Sequence, residues 1–290
     1  MVPYLWMICG SFSFALMSEF VHALGKQCDW QFVAVARAGM SMLLAASLTL
    51  AGRGQLLFLR PPTLWMRSIA GSISLVCGFY ALTHLPPTDA LTLTNMFPLW
   101  VALLSWPLLG EPPPRLIWPA ALCGIVGVFL TQRPHIEAGN FAALAALVGS
   151  FTSAIALIGL HRLQGLDSRA VVAHFSGVSL LVSAVVWGLF EHSDDLLAGV
   201  DGRAIGMIIG MGVTATVGQI LLTKAFASAH PAKVSVVAIT QVAFAMILDI
   251  VIWGQDFDAV TILGILLILL PTAGVLLARE RPLAKDAEHP

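Results

Sequence analysis

The chain has 290 residues, of which 58% are hydrophobic and only 11% charged, and its mean hydropathy is +0.88. A soluble domain carries about 25% charged residues, so 15 basic and 16 acidic side chains are too few to cover a globule of this size. The formal net charge of −1 lacks the basic surplus a nucleic-acid binder needs, and the bilayer is the solvent this composition suits.

A helix needs about 20 mostly apolar residues to cross about 30 Å of hydrocarbon. Ten such runs follow one another, at roughly 3–24, 31–51, 64–84, 88–108, 115–132, 140–160, 170–190, 204–228, 232–253 and 259–278. They predict an all-α integral membrane protein with ten transmembrane helices. The first run lacks a basic n-region and is longer than a signal peptide's apolar core, so it reads as a retained span. Short breaks separate the runs, among them Arg60-Pro61-Pro62-Thr63, Leu85-Pro86-Pro87-Thr88-Asp89, Gly110-Glu111-Pro112-Pro113-Pro114-Arg115, Ala229-His230-Pro231 and Gly254-Gln255-Asp256. Proline removes a backbone donor and glycine loosens the chain, so helices stop there. The longest connectors hold about 13 residues, which leaves no room for a soluble domain.

Lysine and arginine in short loops set orientation. With the N-terminus inside, Arg53, Arg60, Arg67, Arg115, Arg162, Arg169, Lys233, Arg279, Arg281 and Lys285 lie inside, against Lys26, Arg133 and Arg203 outside. Both termini are therefore expected in the cytoplasm. The acidic cluster Glu191, Asp194, Asp195, Asp201, Asp256 and Asp258 falls on the other side, though acidic residues orient only weakly.

The two halves repeat. Tyr80-Ala81-Leu82-Thr83-His84-Leu85-Pro86-Pro87 returns as Lys224-Ala225-Phe226-Ala227-Ser228-Ala229-His230-Pro231, an offset of 144 that also maps Gly110-Glu111 onto Gly254-Gln255. Gly10-Ser11-Phe12-Ser13-Phe14-Ala15 returns as Gly149-Ser150-Phe151-Thr152-Ser153-Ala154 at 139, which maps His22 onto His161. A duplicated unit with an odd number of spans enters the membrane twice in opposite senses. The expectation is two inverted five-helix repeats, 1–137 and 138–278, and a cytoplasmic tail at 279–290. Inverted repeats supply two related gates around one midplane site, the geometry of alternating access. Pro86, Pro87 and Pro231 are the expected pivots.

The stretch Phe79 to Ala90, with Phe97-Pro98-Leu99 and Leu108-Leu109-Gly110-Glu111 after it, resembles the span 3–4 signature of EamA-type transporters in the drug/metabolite transporter superfamily, and of the solute-carrier G-type branch in particular. The resemblance covers essentially the whole chain. It implies a solute carrier with a central cavity lined by spans 1, 3, 4, 6, 8 and 9, with 5 and 10 peripheral. The second half departs from the pattern: Val242 stands where Pro98 predicts proline, and Gln255 replaces Glu111. Such a carrier belongs in a cell membrane, here expected to be a bacterial inner membrane.

Ionisable and amide side chains at membrane depth are the candidate site, because each is costly there. Glu19 in span 1 shares a face with His22 and lies at the depth of Arg37 in span 2. The cluster suits a cation, a coupling proton carried near neutral pH by His22, or a neutralised packing pair. Asn95, Gln219 and Gln241 offer uncharged donors and acceptors to a polar solute, or bonds between helices. Trp100, with Phe14, Tyr80 and Phe97, suits a cavity wall or packing. Lys224 is expected to snorkel, and Gly206 and Gly210 to make a close helix contact. Glu19 and His22 form a lone E-x-x-H that lacks the second motif and the further glutamates of a two-metal site. The cysteines Cys9, Cys28, Cys77 and Cys123 show no CxxC spacing, which removes a disulfide framework and a thiolate zinc site. Neither a P-loop nor a hydrolase motif occurs, so no enzyme, metal or cofactor is expected. The expected partners are a small-molecule substrate, the lipid bilayer and a proton or exchange substrate, with no nucleic acid. A secondary carrier for a small polar or amphiphilic metabolite is the leading reading. A passive channel, or a lipid scramblase or membrane enzyme built on Glu19, His22 and Arg37, is the alternative.

Overall fold

The computed structural model describes residues 1–25, 27–59, 61–85, 87–110, 112–132, 141–189, 201–254 and 258–277. Their order is α1 (Val2–Leu24), α2 (Trp30–Ala51), α3 (Pro62–His84), α4 (Pro87–Thr94), α5 (Phe97–Leu109), α6 (Ile117–Gln132), α7 (Phe141–His161), α8 (Ser168–Leu189), α9 (Gly202–Ser228), α10 (Pro231–Ala238), α11 (Thr240–Trp253) and α12 (Ala259–Leu277). Proline begins α3, α4 and α10, the position where its missing N–H costs nothing. Gly110 ends α5 at φ 76°, a left-handed cap that residues with a Cβ adopt at a cost.

Nine helical segments among the described residues are long and apolar enough to span a bilayer, with α4–α5 and α10–α11 each counted as one. The tenth expected span is the exception. Helix α6 has 16 residues and, at 1.5 Å per residue, is about 24 Å long, short of the hydrocarbon thickness. Pro112-Pro113-Pro114 keeps the chain non-helical ahead of it, and the helix begins at Ile117, two residues after the expected start.

The helices pair as a two-fold relation between the halves requires. Helix α1 packs on α9 and its repeat mate α7 packs on α3, the mate of α9; α2 packs on its own mate α8, and α6 on its mate α12. Glycines show the same relation atom by atom. A Cβ on Gly10 would sit 3.4 Å from the Gly218 carbonyl, and one on Gly149 would sit 3.4 Å from the Ser74 carbonyl. Gly149 follows Gly10 by 139 and Gly218 follows Ser74 by 144, the two offsets of the sequence repeat. With five spans per half, the axis relating them lies in the membrane plane, and the fold is two inverted repeats. Gly210 makes the expected close contact, since a Cβ there would meet the Phe20 ring at 2.7 Å. Gly206 has nothing within 4 Å and takes no part.

Spans 4 and 9 are broken, although the sequence reads each as one run. Span 4 parts at Asn95-Met96 and span 9 at Ile239, 144 residues after Asn95. In the first half Pro98 has no N–H for the Thr94 carbonyl, and Leu99 N bonds Met96 O in a tight three-residue turn at 3.1 Å. The second half has Val242 in place of that proline and still tightens there, through Ile239 N to Val236 O at 3.3 Å and Val242 N to Ile239 O at 2.9 Å. The Thr240 hydroxyl donates to Val237 O at 2.7 Å, a local bond of the kind that competes with the helical ladder. The main apolar core gathers Met7, Val101, Leu157, Phe226 and Val234 around these segments. Leu103, Trp106, Leu122, Leu181 and Leu270 are exposed, as side chains facing lipid are.

Candidate functional site

Helices α2, α3, α8 and α9 meet around a small void of about 10 Å³ lined by Arg37, Ala38, Ser41, Leu75, Phe175, Ser176, Ser179 and Gln219. Arg37 is half-buried on α2 and donates from Nε to Met17 Sδ at 3.2 Å. Behind Gln219 and Phe175 stands Arg67 of α3, only 2% exposed. Its Nη2 donates to Gln219 Oε1 at 3.2 Å, and its guanidinium lies 3.7 Å from the centre of the Phe175 ring, a cation–π contact. Its Nε is buried and has no hydrogen-bond partner among the described residues. The hydroxyls of Ser72 and Ser179 share a hydrogen bond at 2.9 Å, and Ser68 Oγ meets His174 Nδ1 at 2.8 Å. These two bonds hold α3 to α8 just beyond Arg67.

Two guanidiniums thus stand in an apolar interior against neutral groups: a thioether, an amide and an aromatic face. Desolvating one ion in a protein interior costs several kcal/mol, and thioether sulfur is a weak acceptor. Where the sequence suggests a carboxylate for Arg37, the structure sets its Nε on Met17. Glu19 follows Met17 by two residues and so lies about 200° further round α1.

The remaining candidates fall elsewhere. Glu19 is half-buried and His22 exposed on α1. Asn95 sits in the break of span 4, where its Nδ2 donates to Leu91 O at 2.8 Å. Gln241 is the second residue of α11, directly after the repeat-related break. Trp100 Nε1 donates to Ser150 Oγ at 3.0 Å, and its ring meets Phe151 edge-on with centroids 5.4 Å apart. Pro87 opens α4, and Pro231 is buried at the start of α10 behind His230, whose Nδ1 accepts from Ala232 N at 3.3 Å. Pro86 lies outside the described residues. Lys224 holds its ammonium 5.7 Å from the Trp6 ring centre. Of the predicted polar residues, the structure brings Arg37 and Gln219 together on the void. The void is bounded by spans 2, 3, 7 and 8, so spans 2 and 7 take a place that the resemblance gives to 1, 4, 6 and 9.

Arg67 is the residue the sequence reading missed: it is counted among the inside charges near a span end although the expected third span, 64–84, contains it, and α3 (Pro62–His84) carries it inside. Lys233, also counted as a loop cation, is 9% exposed within α10. Without them the residues expected inside still include eight basic ones against three expected outside. At the membrane surface, Asp167 N-caps α8 by accepting from Arg169 N at 2.9 Å and pairs with the Arg169 guanidinium at 2.8 Å. That hydrogen bond holds the Asp167 carboxyl below its ordinary range.

Inverted repeats, two broken spans at equivalent positions and a buried polar centre define the class of inverted-repeat membrane transporters. The chain belongs to the EamA-like transporter family, whose profile matches it twice, at residues 1–133 and 140–277. It is 27% identical over 265 residues to the pseudopaline exporter of Pseudomonas aeruginosa, covering 90% of this chain and 91% of that protein. It is 28% identical over 218 residues to an uncharacterized transporter of Helicobacter pylori, covering 73% and 72%. Mouse solute carrier family 35 member G1 is 24% identical over 249 residues, covering 78% of this chain and 63% of that protein. A solved crystal structure shares the fold with a TM-score of 0.79 at 19% identity, over 95% of this chain and 97% of that one.

Proposed function

We propose that the protein is a secondary-active transporter that moves a small polar or amphiphilic metabolite by alternating access, with both termini in the cytoplasm. The observation that carries this reading is the pair of breaks at Asn95-Met96 and Ile239, at equivalent positions in the two halves. Interrupted spans related by an inverted repeat are where transporters hold cargo and bend. Each break divides its span into two pieces that can tilt relative to each other. Pro86-Pro87 and His230-Pro231 then act as related corners on opposite faces. Glu19, Asn95, Gln241 and Trp100 serve as solute contacts or coupling groups, and Arg37 and Gln219 contribute from the void. A relative named as an exporter supports a diffusible solute as cargo.

Counterflow tests the reading. A thermal-shift panel of amines, amino acids, nucleosides and organic anions on the purified protein selects a solute, because a bound ligand stabilises the folded state. Vesicles preloaded with unlabelled solute should then accumulate labelled solute transiently above equilibrium, with saturable rates. Flux that neither saturates nor overshoots would identify a channel. Lipid movement without solute exchange would identify a scramblase.

A further inference from the structure

Among the described residues neither guanidinium of the centre has an anionic partner. Those that Arg67 has are the Gln219 amide and the Phe175 ring, while its Nε, buried in a residue 2% exposed, is left without one. Arg37 is given a thioether. The other polar side chains lining the void, Ser41, Ser176, Ser179 and Gln219, are neutral and rich in donors. No lining residue is acidic. Arginine presents a rigid fork of N–H donors that matches the oxygens of carboxylate and phosphate, and two like charges behind one wall repel each other until an anion arrives. The void has about 10 Å³ of free volume, room for about one water, so as it stands it admits a single oxygen of an anionic group, and the rest of the group enters only as the four helices part.

We infer that this centre, enclosed by α2, α3, α8 and α9, binds an oxyanion group of the transported solute, a carboxylate or a phosphate, between Arg37 and Arg67; the inference rests on the transport reading above. Arg37 meets the group from the void. Arg67 supplies positive charge from behind, with its position fixed by Gln219 and Phe175, and the serine hydroxyls complete the donor set. The solute is therefore an anion or carries an anionic end, and organic cations are excluded from this site.

The test uses the full-length purified protein and four probes: succinate, glycerol 3-phosphate, neutral succinamide and cationic putrescine. Succinate or glycerol 3-phosphate should raise the melting temperature saturably, and the stronger of the two identifies carboxylate or phosphate as the group. Succinamide and putrescine should not. Arg37→Gln and Arg67→Gln should each weaken oxyanion binding at least tenfold, whereas Arg203→Gln, at the exposed start of α9, should leave it unchanged. Stabilisation by putrescine or succinamide in place of the oxyanions, no saturable response to either oxyanion, or undiminished affinity in both arginine variants would overturn the inference. The wild-type panel decides the sign of the charge even if the variants do not fold. Counterflow of a cation would leave the transport reading standing and remove the oxyanion site. Oxyanion binding without counterflow would do the reverse.

Discussion

The α6–α12 contact gives a direct measure of how tightly the repeats are joined. A Cβ on Gly127 would lie 2.6 Å from the Gly264 carbonyl oxygen and 2.9 Å from Ile268 Cγ1, and the first of these is backbone that no rotamer change can move. Reaching ordinary contact needs ~0.8 Å of separation between the helices, lost along a seam where small residues allow close approach. Overpacking of this kind costs about 1–3 kcal/mol, while replacing a helical glycine by alanine returns about 1 kcal/mol of propensity. Gly206→Ala isolates the second effect, because nothing lies within 4 Å of its Cβ position. The expected outcome is that Gly206→Ala is neutral or more stable than the parent, and that Gly127→Ala lies below Gly206→Ala by about 1–3 kcal/mol. Thermal unfolding of both variants in one detergent is the assay. Equal melting temperatures would refute the close seam.

Three further outcomes follow from individual contacts. Asp167→Ala removes the cap of α8 and should cost up to ~1 kcal/mol at neutral pH. Because the folded carboxyl is held below its ordinary range by Arg169, its stabilising effect is complete above about pH 4 and is lost as pH falls through the lower folded value. Unfolding scans from pH 7 to pH 3 should show parent and variant converging only at the acidic end, and convergence between pH 5 and 7 would contradict the pairing. Trp100→Phe should cost about 0.5–1.5 kcal/mol through the lost bond to Ser150, and adding Ser150→Ala should recover part of it. Solute affinity that stays low in that double variant would make Trp100 a contact residue. Glu19→Gln should leave oxyanion affinity in the thermal-shift assay within about twofold, and a larger loss would place Glu19 in the binding centre.

Much of the fold could be read from hydropathy and punctuation because both report directly on burial in lipid. The repeat could be read as well, since Gly10 and Gly149, or Tyr80 and Lys224, sit at fixed offsets. The break in span 9 could not: Ile239 and Thr240 are ordinary apolar-span residues, and the bond from the Thr240 hydroxyl to Val237 O has counterparts in unbroken helices, such as Thr216 to Gly212 O. Pro98 does mark the equivalent break, but hydropathy alone merges it with its neighbours. The length of α6 was hidden because hydropathy counts Leu116 toward the span, whereas three prolines delay the helix. Arg67 went unseen because a charge within one turn of an expected span end is counted with the loop charges when helix starts are uncertain by a few residues. Only the placement of α3 against α7 and α8 shows that its guanidinium points inward. Which candidates meet each other depends on helix pairing, and pairing leaves little trace in a single sequence.

The central claim is that the two halves open in turn about equivalent breaks. Spin labels at Gln27 and His84 report one face and labels at Leu166 and Ser228 report the repeat-related pair on the other, following the offsets of 139 and 144. Distances within each pair, measured in lipid vesicles with and without the solute chosen by the binding panel, test alternation directly. Alternating access predicts that one distance shortens while the other lengthens. Two distances that stay fixed, or that change in the same direction, would contradict it.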